Sequence, residues 1–340
     1  MRARVAFLIV LLAGCSDPGV VEDAPTSIAM ESSTTTSTTE PATTTNTTAA
    51  VAGSAGCAAP VASGTRTYTI ADGTSRSYLL SVPADRTTPA PVVLNLHGLG
   101  SNATEQAAYS RLPDVGPARG YVVVTPDGDG PGWALPPANR DVEAMGALLD
   151  EVERVACVDP AREFSTGISN GAGLSVALVC GLDGRLAGIA PVAGVNLVLG
   201  ARGACDSPPP TTVIAFHGTD DPLIPYAGGR LFQGADADTL AALGDLADLI
   251  TRVQVPAVDD EMAAYAAAAG CGTPVDDTGT DGAVHRTYPD CDGGVHVELW
   301  TIDGGGHTWP GAIAIPRLGA TSTTVDATAL LLDAFDATEG

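Results

Sequence analysis

One stretch of this chain constrains its fold most tightly: Ser165-Thr166-Gly167-Ile168-Ser169-Asn170-Gly171-Ala172-Gly173. Residues 163–165 predict the end of a buried strand, and residues 170–180 predict an apolar helix. A Gly-x-Ser-x-Gly turn between a strand and a helix holds its serine in a strained conformation and leaves the hydroxyl exposed. The stretch therefore predicts a nucleophilic Ser169. The alternative is a glycine-rich turn whose serine only caps the helix.

Further apolar runs along the chain show no alternation with polar residues, and helical stretches separate them. A parallel sheet covered on both faces requires this pattern. The predicted strands of this kind are 92–96, 121–125, 186–192 and 213–216. An antiparallel pair at 67–70 and 77–82 precedes them, and a further strand is predicted at 295–302; the predicted helices are 141–155, 170–180 and 327–335. The fold class is therefore α/β, with a mostly parallel central sheet and helices on both faces. Residues 57–340 form its single domain, and residues 233–255 form an insertion or lid.

Charge and composition exclude several classes of protein. All sixteen basic residues are arginine, and the formal net charge is -24. The absence of lysine excludes the phosphate-binding lysine of a P-loop and a pyridoxal Schiff base. The acidic surface repels nucleic acid, so no nucleic-acid partner is expected. We expect neither a metal nor an organic cofactor.

The N-terminus predicts export. Arg2 and Arg4 precede a short apolar run, which ends in Leu12-Ala13-Gly14-Cys15. This ending resembles a bacterial lipobox, in which the cysteine becomes lipidated; the alternative is an ordinary signal peptide with an incidental cysteine. Residues 1–15 are thus the signal, and the Thr/Ser-rich residues 16–56 are a disordered tether. The expected location is the outer face of a bacterial membrane, held there by lipid, or the extracellular region.

Six cysteines remain after Cys15, an even number that suggests disulfides in an exported chain. None of them forms a C-x-x-C pair, so a zinc ribbon has no support. Proximity in sequence suggests three pairs, namely Cys57 with Cys157, Cys180 with Cys205, and Cys271 with Cys291.

The loop after strand 92–96 reads His97-Gly98-Leu99-Gly100. Its glycines allow the backbone to approach a substrate, and backbone N–H groups can stabilise an oxyanion. We predict the amides of Leu99 and Asn170 as the two donors. His97 is interpreted as a residue that shapes the loop, with a catalytic base as the alternative.

Two later turns supply candidates for the acid and the base. His217-Gly218-Thr219-Asp220-Asp221 follows strand 213–216, and its spacing favours Asp221 over Asp220 as the carboxylate. Gly304-Gly305-Gly306-His307 follows strand 295–302, and its glycines suit a loop that places an imidazole. His307 is therefore the predicted general base. His285 and His296 receive no role.

These turns occur in the chain order Ser169, Asp221, His307, the order of α/β-hydrolases. Together with Pro225-Tyr226 and Thr308-Trp309-Pro310-Gly311, they resemble the extracellular polyhydroxybutyrate depolymerase and feruloyl esterase group. The resemblance runs from about Gly64 to Gly311. It departs from the group at Ala172, where a second glycine is usual, in the insertion, and in the tether.

The resemblance implies an exported serine esterase that acts through an acyl-enzyme. The first expectation for its ester substrate is an oligomeric or polymeric hydroxyalkanoate, and the alternative is a feruloyl or acetyl ester of a polysaccharide. Trp309 and Trp133 are candidate walls of the acyl pocket, with plain packing as the alternative. A catalytically silent surface binding protein on the same scaffold is a competing hypothesis, and a peptidase of the same fold ranks last.

Overall fold

The computed structural model describes residues 53–135, 140–197 and 208–338. These residues belong to one compact unit, Ala50–Gly340. The predicted signal with Cys15, nearly all of the tether, and Cys205 lie outside the described residues. Within the described ranges, no helix is both long enough and apolar enough to span a bilayer.

A mixed sheet forms the centre of the unit. Its ten strands, counted over the described residues, lie in the order β1-β2-β4-β3-β5-β6-β7-β12-β11-β10. Their bounds are β1 Gly64–Thr69, β2 Ser75–Ser81, β3 Ala90–Leu96, β4 Val122–Pro126, β5 Val158–Ile168, β6 Gly188–Val192, β7 Thr212–Gly218, β10 Val275–Asp277, β11 Ala283–Tyr288 and β12 Val297–Ile302, and a separate pair comprises β8 Gly229–Arg230 and β9 Gln254–Val255. The six strands from β4 to β12 in this order pair in parallel, and antiparallel strands flank them at both edges. The predicted mostly parallel sheet is confirmed.

The helices connect these strands and cover both faces of the sheet. They are α1 Ala103–Ser110, α2 Leu112–Ala118, α3 Arg140–Val155, α4 Asn170–Gly181, α5 Ala237–Leu243, α6 Ala247–Ile250, α7 Val258–Ala268 and α8 Ala327–Ala337. The three predicted helices correspond to α3, α4 and α8. Two more, α5 and α6, lie within residues 236–250, whose sequence is helical in pattern. Helices α1, α2 and α7, and the edge strands β10 and β11, were not among the predicted elements.

Burial on both faces explains why the central strands carry unbroken apolar runs. In β3, Val92 and Leu94 pack into one apolar cluster together with Leu148 of α3, while Val93 points into a second cluster with Phe335 of α8. All four of these β3 and α3 side chains are fully buried. Each such side chain contributes about 1.5–3 kcal/mol through its removal from water, so the sheet is stabilised from both sides.

The predicted insertion at 233–255 contains α5 and α6 and ends in β9, which returns the chain to β8. It packs on a small cluster that includes Leu223, Ile224 and Val255. A short strand therefore does follow the helices, although none was predicted there. A role as a lid stays a prediction.

The folded unit begins before the predicted boundary at residue 57. Ser54 donates its backbone N–H to the carbonyl of Val158 (2.9 Å) and its hydroxyl to the carbonyl of Ala156 (2.7 Å). The tether prediction extended too far because small polar residues such as these give no apolar pattern, although their backbone is hydrogen-bonded to β5.

Two predicted disulfides, Cys57–Cys157 and Cys271–Cys291, are confirmed. Cys180 is also disulfide-bonded. Its predicted partner, Cys205, is outside the described residues.

Candidate active site

Parallel strands place the ends of β3, β5, β7 and β12 at one edge of the sheet. The loop containing Leu99 follows β3, Ser169 follows β5, Asp221 follows β7, and His307 follows β12. Because the carboxyl ends of parallel strands share an edge, residues far apart in sequence converge there. This end of the sheet carries the predicted nucleophile, acid, base and oxyanion donors.

Ser169 lies in a strained turn between β5 and α4. Its φ of 59° and ψ of -121° are unusual for a residue with a side chain, and its side chain makes no capping hydrogen bond. Such backbone conformations cost about 1–3 kcal/mol and cluster at functional sites. The helix-capping alternative for Ser169 is therefore wrong.

The glycines on either side of Ser169 are small because β3 passes directly against the turn. A Cβ atom at Gly167 would lie 2.7 Å from the carbonyl oxygen of Leu96, and one at Gly171 would lie 2.6 Å from the carbonyl oxygen of His97. Real Cβ atoms essentially never approach backbone this closely. The Gly-x-Ser-x-Gly spacing thus reflects close contact between two strand ends.

His307 and Asp221 form a buried pair across 86 positions of sequence. The Nδ1 atom of His307 lies 2.8 Å from Oδ2 of Asp221. The other carboxylate oxygen, Oδ1, accepts the backbone N–H groups of Leu223 (2.8 Å) and Ile224 (2.9 Å). With Oδ2 accepting, Nδ1 of His307 carries the hydrogen, and Nε2 is left as the basic nitrogen.

The charge state of Asp221 follows from these contacts. Burial by itself would raise the pKa of Asp221, but the imidazole of His307, aided by that of His217, outweighs burial and holds this pKa below its usual range. Asp220, by contrast, is exposed, and its backbone N–H bonds to the carbonyl of Gly305. The carboxylate that pairs with His307 is therefore that of Asp221.

Gly218, the last residue of β7, lets the loop before His307 lie directly against the end of this strand. A Cβ atom at Gly218 would lie 2.6 Å from the carbonyl oxygen of Gly306 and closer still to that of Gly305. The His307 N–H then donates to the carbonyl of Leu318 at 2.6 Å. These contacts set the backbone position from which the imidazole reaches Asp221.

The predicted oxyanion donors flank Ser169. A Cβ atom at Gly98 would lie 3.5 Å from Cβ of Ser169, so the loop after β3 runs against the serine. Asn170 is the first residue of α4, where the backbone N–H has no partner within the helix. Within the described residues, the N–H groups of Leu99 and Asn170 make no hydrogen bond.

No hydrogen bond joins the Ser169 hydroxyl to His307 in the described part of the chain. Catalytic hydrogen bonds are often long in unliganded enzymes and shorten in the substrate complex.

A loop after β4, residues 128–133, holds the two donor segments together. The Asn170 side chain bonds to Trp133 at both polar ends, accepting its backbone N–H (2.5 Å) and donating to its carbonyl (3.1 Å). The Trp133 indole donates to the carbonyl of His97 (2.8 Å), and Gly100 N–H donates to the carbonyl of Pro131 (2.5 Å).

We call residues 128–133 the oxyanion clamp, because their hydrogen bonds join the loop after β3 to Asn170. The prediction missed it, since Gly130-Pro131-Gly132 in the sequence indicates only a turn.

His97 shapes this region through both ring nitrogens. Nε2 accepts the N–H of Gly128 (3.2 Å), so Nδ1 carries the hydrogen and donates to the carbonyl of Gly98 (2.9 Å). Burial lowers the pKa of His97, which favours the neutral ring. With both nitrogens engaged, the ring has none free to act as a base, in agreement with its predicted role in shaping the loop.

Neither tryptophan predicted as a pocket wall has an open face. Trp309 is fully buried, packs in the core with α8, and donates its indole N–H to Thr328 (3.0 Å). Trp133 is 5% exposed and packs against the His97 ring at a centroid distance of 4.6 Å. The packing alternative describes both residues, because a turn sequence does not reveal which side of the loop an aromatic ring occupies.

Comparison with known proteins identifies relatives, although no family model matches the chain. A protein of Nocardia uniformis subsp. tsuyamanensis named "Putative esterase NocK" is 30% identical over 279 residues, covering 74% of this chain and 76% of that protein. Feruloyl esterase B of Piromyces equi is 29% identical over 231 residues, covering 64% of this chain and 39% of that enzyme.

Feruloyl esterase C of Emericella nidulans is 32% identical over 161 residues. The alignment covers 45% of this chain and 58% of that enzyme. The chain therefore spans only about half the length of these two feruloyl esterases. A solved ferulic acid esterase overlaps with a TM-score of 0.38 at 16% identity, over 47% of this chain and 79% of the other.

The identity to NocK extends over about three quarters of both proteins, and the sheet has the parallel core and covering helices of the α/β-hydrolase fold. The chain belongs to the NocK-related esterase family of α/β-hydrolases, and it is a carboxylic ester hydrolase.

Proposed function

We propose that this esterase is a serine hydrolase in which Ser169 is the nucleophile, His307 the general base, and Asp221 the residue that orients the base. One observation carries the proposal. The His307–Asp221 pair, 2.8 Å between Nδ1 and Oδ2, lies at the same sheet edge as the strained Ser169. Buried pairing of this kind fixes the imidazole with its basic nitrogen free for a serine hydroxyl.

The chemistry follows from this arrangement. His307 Nε2 takes the proton of the Ser169 hydroxyl while the serine oxygen bonds to the ester carbonyl carbon. The oxyanion that forms accepts the N–H groups of Leu99 and Asn170, and the N-terminal dipole of α4 stabilises the same negative charge. His307 then returns the proton to the leaving alcohol, which leaves an acyl-enzyme. Water, activated by His307, releases the acid and restores Ser169.

For the substrate we favour esters of hydroxycinnamic acids, such as feruloyl esters of polysaccharides. Several relatives are named feruloyl esterases. Oligomers of hydroxybutyrate are the second candidate, since the motifs around Ser169 and His307 resemble those of polyhydroxybutyrate depolymerases. Acetyl esters form a third class for comparison.

Covalent labelling tests the mechanism. The protein is treated with a fluorophosphonate probe, the labelled peptide is mapped by mass spectrometry, and Ser169→Ala is treated in parallel. We expect labelling at Ser169 alone, with turnover in the Ala variant reduced by at least about a thousandfold and its unfolding midpoint retained. Equal labelling or equal turnover in the variant would exclude Ser169. A folded wild-type protein that neither labels nor turns over ester would favour the silent binding protein.

Relative rates on a small panel test the substrate class. We expect kcat/KM for methyl ferulate to exceed that for hydroxybutyrate oligomers and for an acetylated xylan oligomer. A preference for the hydroxybutyrate oligomers would replace the first candidate with the second.

We further propose that Cys15 becomes a lipidated N-terminus that anchors the enzyme outside the cell. The support is the short apolar run before Leu12-Ala13-Gly14-Cys15. In a bacterial host, Cys15→Ser should move the enzyme from the membrane fraction to the soluble fraction and abolish incorporation of labelled palmitate. Membrane association that survives this substitution would contradict the anchor.

A further inference from the structure

A second histidine contacts the carboxylate of Asp221. His217 is the penultimate residue of β7, and its side chain is 0% exposed. Its Nε2 atom lies 2.8 Å from the carbonyl oxygen of Ile224 and 3.4 Å from Oδ2 of Asp221. Because a carbonyl oxygen only accepts, Nε2 must carry a hydrogen. This N–H therefore lies close to two oxygens, the carbonyl oxygen of Ile224 and Oδ2 of Asp221. Oδ2 is also the oxygen that pairs with His307.

The contacts of Ile224 link His217 to the turn that holds Asp221. Ile224 donates its N–H to Oδ1 of Asp221 and accepts the N–H of His217 with its carbonyl. Ile224 is thus hydrogen-bonded to the carboxylate through its N–H and to the imidazole through its carbonyl. Rotation of the Asp221 carboxylate away from His307 would have to break the two hydrogen bonds that Oδ1 accepts from backbone N–H groups. It would also move Oδ2 away from Nε2 of His217.

The other ring nitrogen of His217, Nδ1, makes no contact with the described chain that would explain a histidine at this position. The hydrogen bond from Nε2–H is the contact that requires one. Nδ1 is buried and has no hydrogen-bond partner among the described residues. The ring also meets the edge of Tyr226 at a centroid distance of 5.9 Å, a contact that an apolar aromatic ring could make equally well. A buried polar atom without a partner costs free energy. An apolar ring would avoid that cost, but it would lose the donor to Ile224 and Asp221.

We propose that His217 is a positioning residue for Asp221: its Nε2–H holds the 221–224 turn and the Oδ2 atom in the orientation that pairs with His307. The inference rests on the proposed triad and assigns a function to a buried histidine that the triad does not use. His217 does not touch the reacting atoms and acts only through Asp221.

Three substitutions separate donation of a hydrogen bond from filling of space. His217→Phe keeps a ring without a donor, His217→Gln places an amide N–H close to the position of Nε2, and His217→Asn is polar but one carbon shorter. We expect kcat to fall by about 10- to 100-fold in His217→Phe, as for other small misplacements of a catalytic group, with KM nearly unchanged. His217→Gln should recover most of this loss and His217→Asn much less. If the Phe variant does not fold, the Gln and Asn pair still provides the comparison.

A double-mutant cycle gives a result that a merely structural role would not. In an Asp221→Ala background, His217→Phe should cause no further loss of kcat, because its effect passes through the missing carboxylate. Equal losses in both backgrounds, or a wild-type kcat in folded His217→Phe, would overturn the proposal. Ser169→Ala is measured alongside, since activity in that variant would instead refute the triad on which the inference rests.

Discussion

The two halves of the site are built in different ways. The nucleophile half, comprising residues 97–100, 128–133 and 169–170, is held by backbone contacts and neutral hydrogen bonds around a partly exposed serine. The acid-base half, comprising residues 217–224 and 304–307, is organised around the buried carboxylate of Asp221, which lies between the buried imidazoles of His217 and His307. The comparison indicates that the first half depends on backbone shape and the second on one buried charge.

The largest expected effect tests the acid-base half. Asp221→Asn should lower kcat by about 10³- to 10⁴-fold, because the amide cannot hold His307 in the productive tautomer. Asp220→Asn is the matched control and should stay within about twofold, since an exposed surface substitution is usually near neutral. Steady-state kinetics on both variants measures this. A similar loss in the two variants would show that the buried charge is not what distinguishes this half.

The next effect tests backbone shape in the nucleophile half. Gly171→Ala should reduce the free energy of unfolding by about 3 kcal/mol, because its Cβ would lie 2.6 Å from the carbonyl of His97. Gly146→Ala, in the interior of α3, is the control. There the nearest atom to a new Cβ is the flexible end of Leu182 at 3.3 Å, and replacing a helical glycine should stabilise by about 0.5–1 kcal/mol.

Urea unfolding of both glycine variants provides the measurement. Equal stability of the two would mean that β3 can move away from the Ser169 turn, and that this half is less rigid than its contacts indicate.

The smallest expected effect on kcat comes from substituting the two buried tryptophans, Trp133 and Trp309. Trp133→Phe removes the indole N–H that donates to the carbonyl of His97. We expect kcat to fall by about tenfold, the cost of losing one hydrogen bond to the loop that contains Leu99. Trp309→Phe removes a bond to Thr328 in the core and should leave kcat unchanged while lowering the free energy of unfolding by about 2 kcal/mol. Kinetics and thermal unfolding on both proteins distinguish these outcomes. Loss of kcat in Trp309→Phe alone would reverse our assignment of the two residues.

Local pattern was sufficient for much of this structure. Unbroken apolar runs predicted the central strands because burial on both faces leaves no polar face to alternate. Gly167 and Gly171 predicted the turn at Ser169 because only glycine permits two strand ends to touch. The spacing after His217 favoured Asp221, the carboxylate that the structure pairs with His307.

Other features left no trace in local pattern. The bond between the Asn170 side chain and Trp133 joins positions 37 apart, and neither periodicity nor a turn motif encodes such a partner. The same reason explains why Trp133 and Trp309 looked alike in sequence. Each lies beside a proline and a glycine, yet Trp133 hydrogen-bonds the loop after β3 and Trp309 packs in the core. The contact of His217 with Asp221 required the fold of the 221–224 turn.

The sequence by itself determined the fold class, the order of the chemical groups and the residue types at the Ser169 turn, because these follow from local burial and local sterics. The tertiary structure alone decided which groups meet: the His307–Asp221 pair, the oxyanion clamp, and the second imidazole on the carboxylate. These contacts form only where parallel strands bring distant loops to one edge of the sheet. Burial there gives a single charge or hydrogen bond its strength.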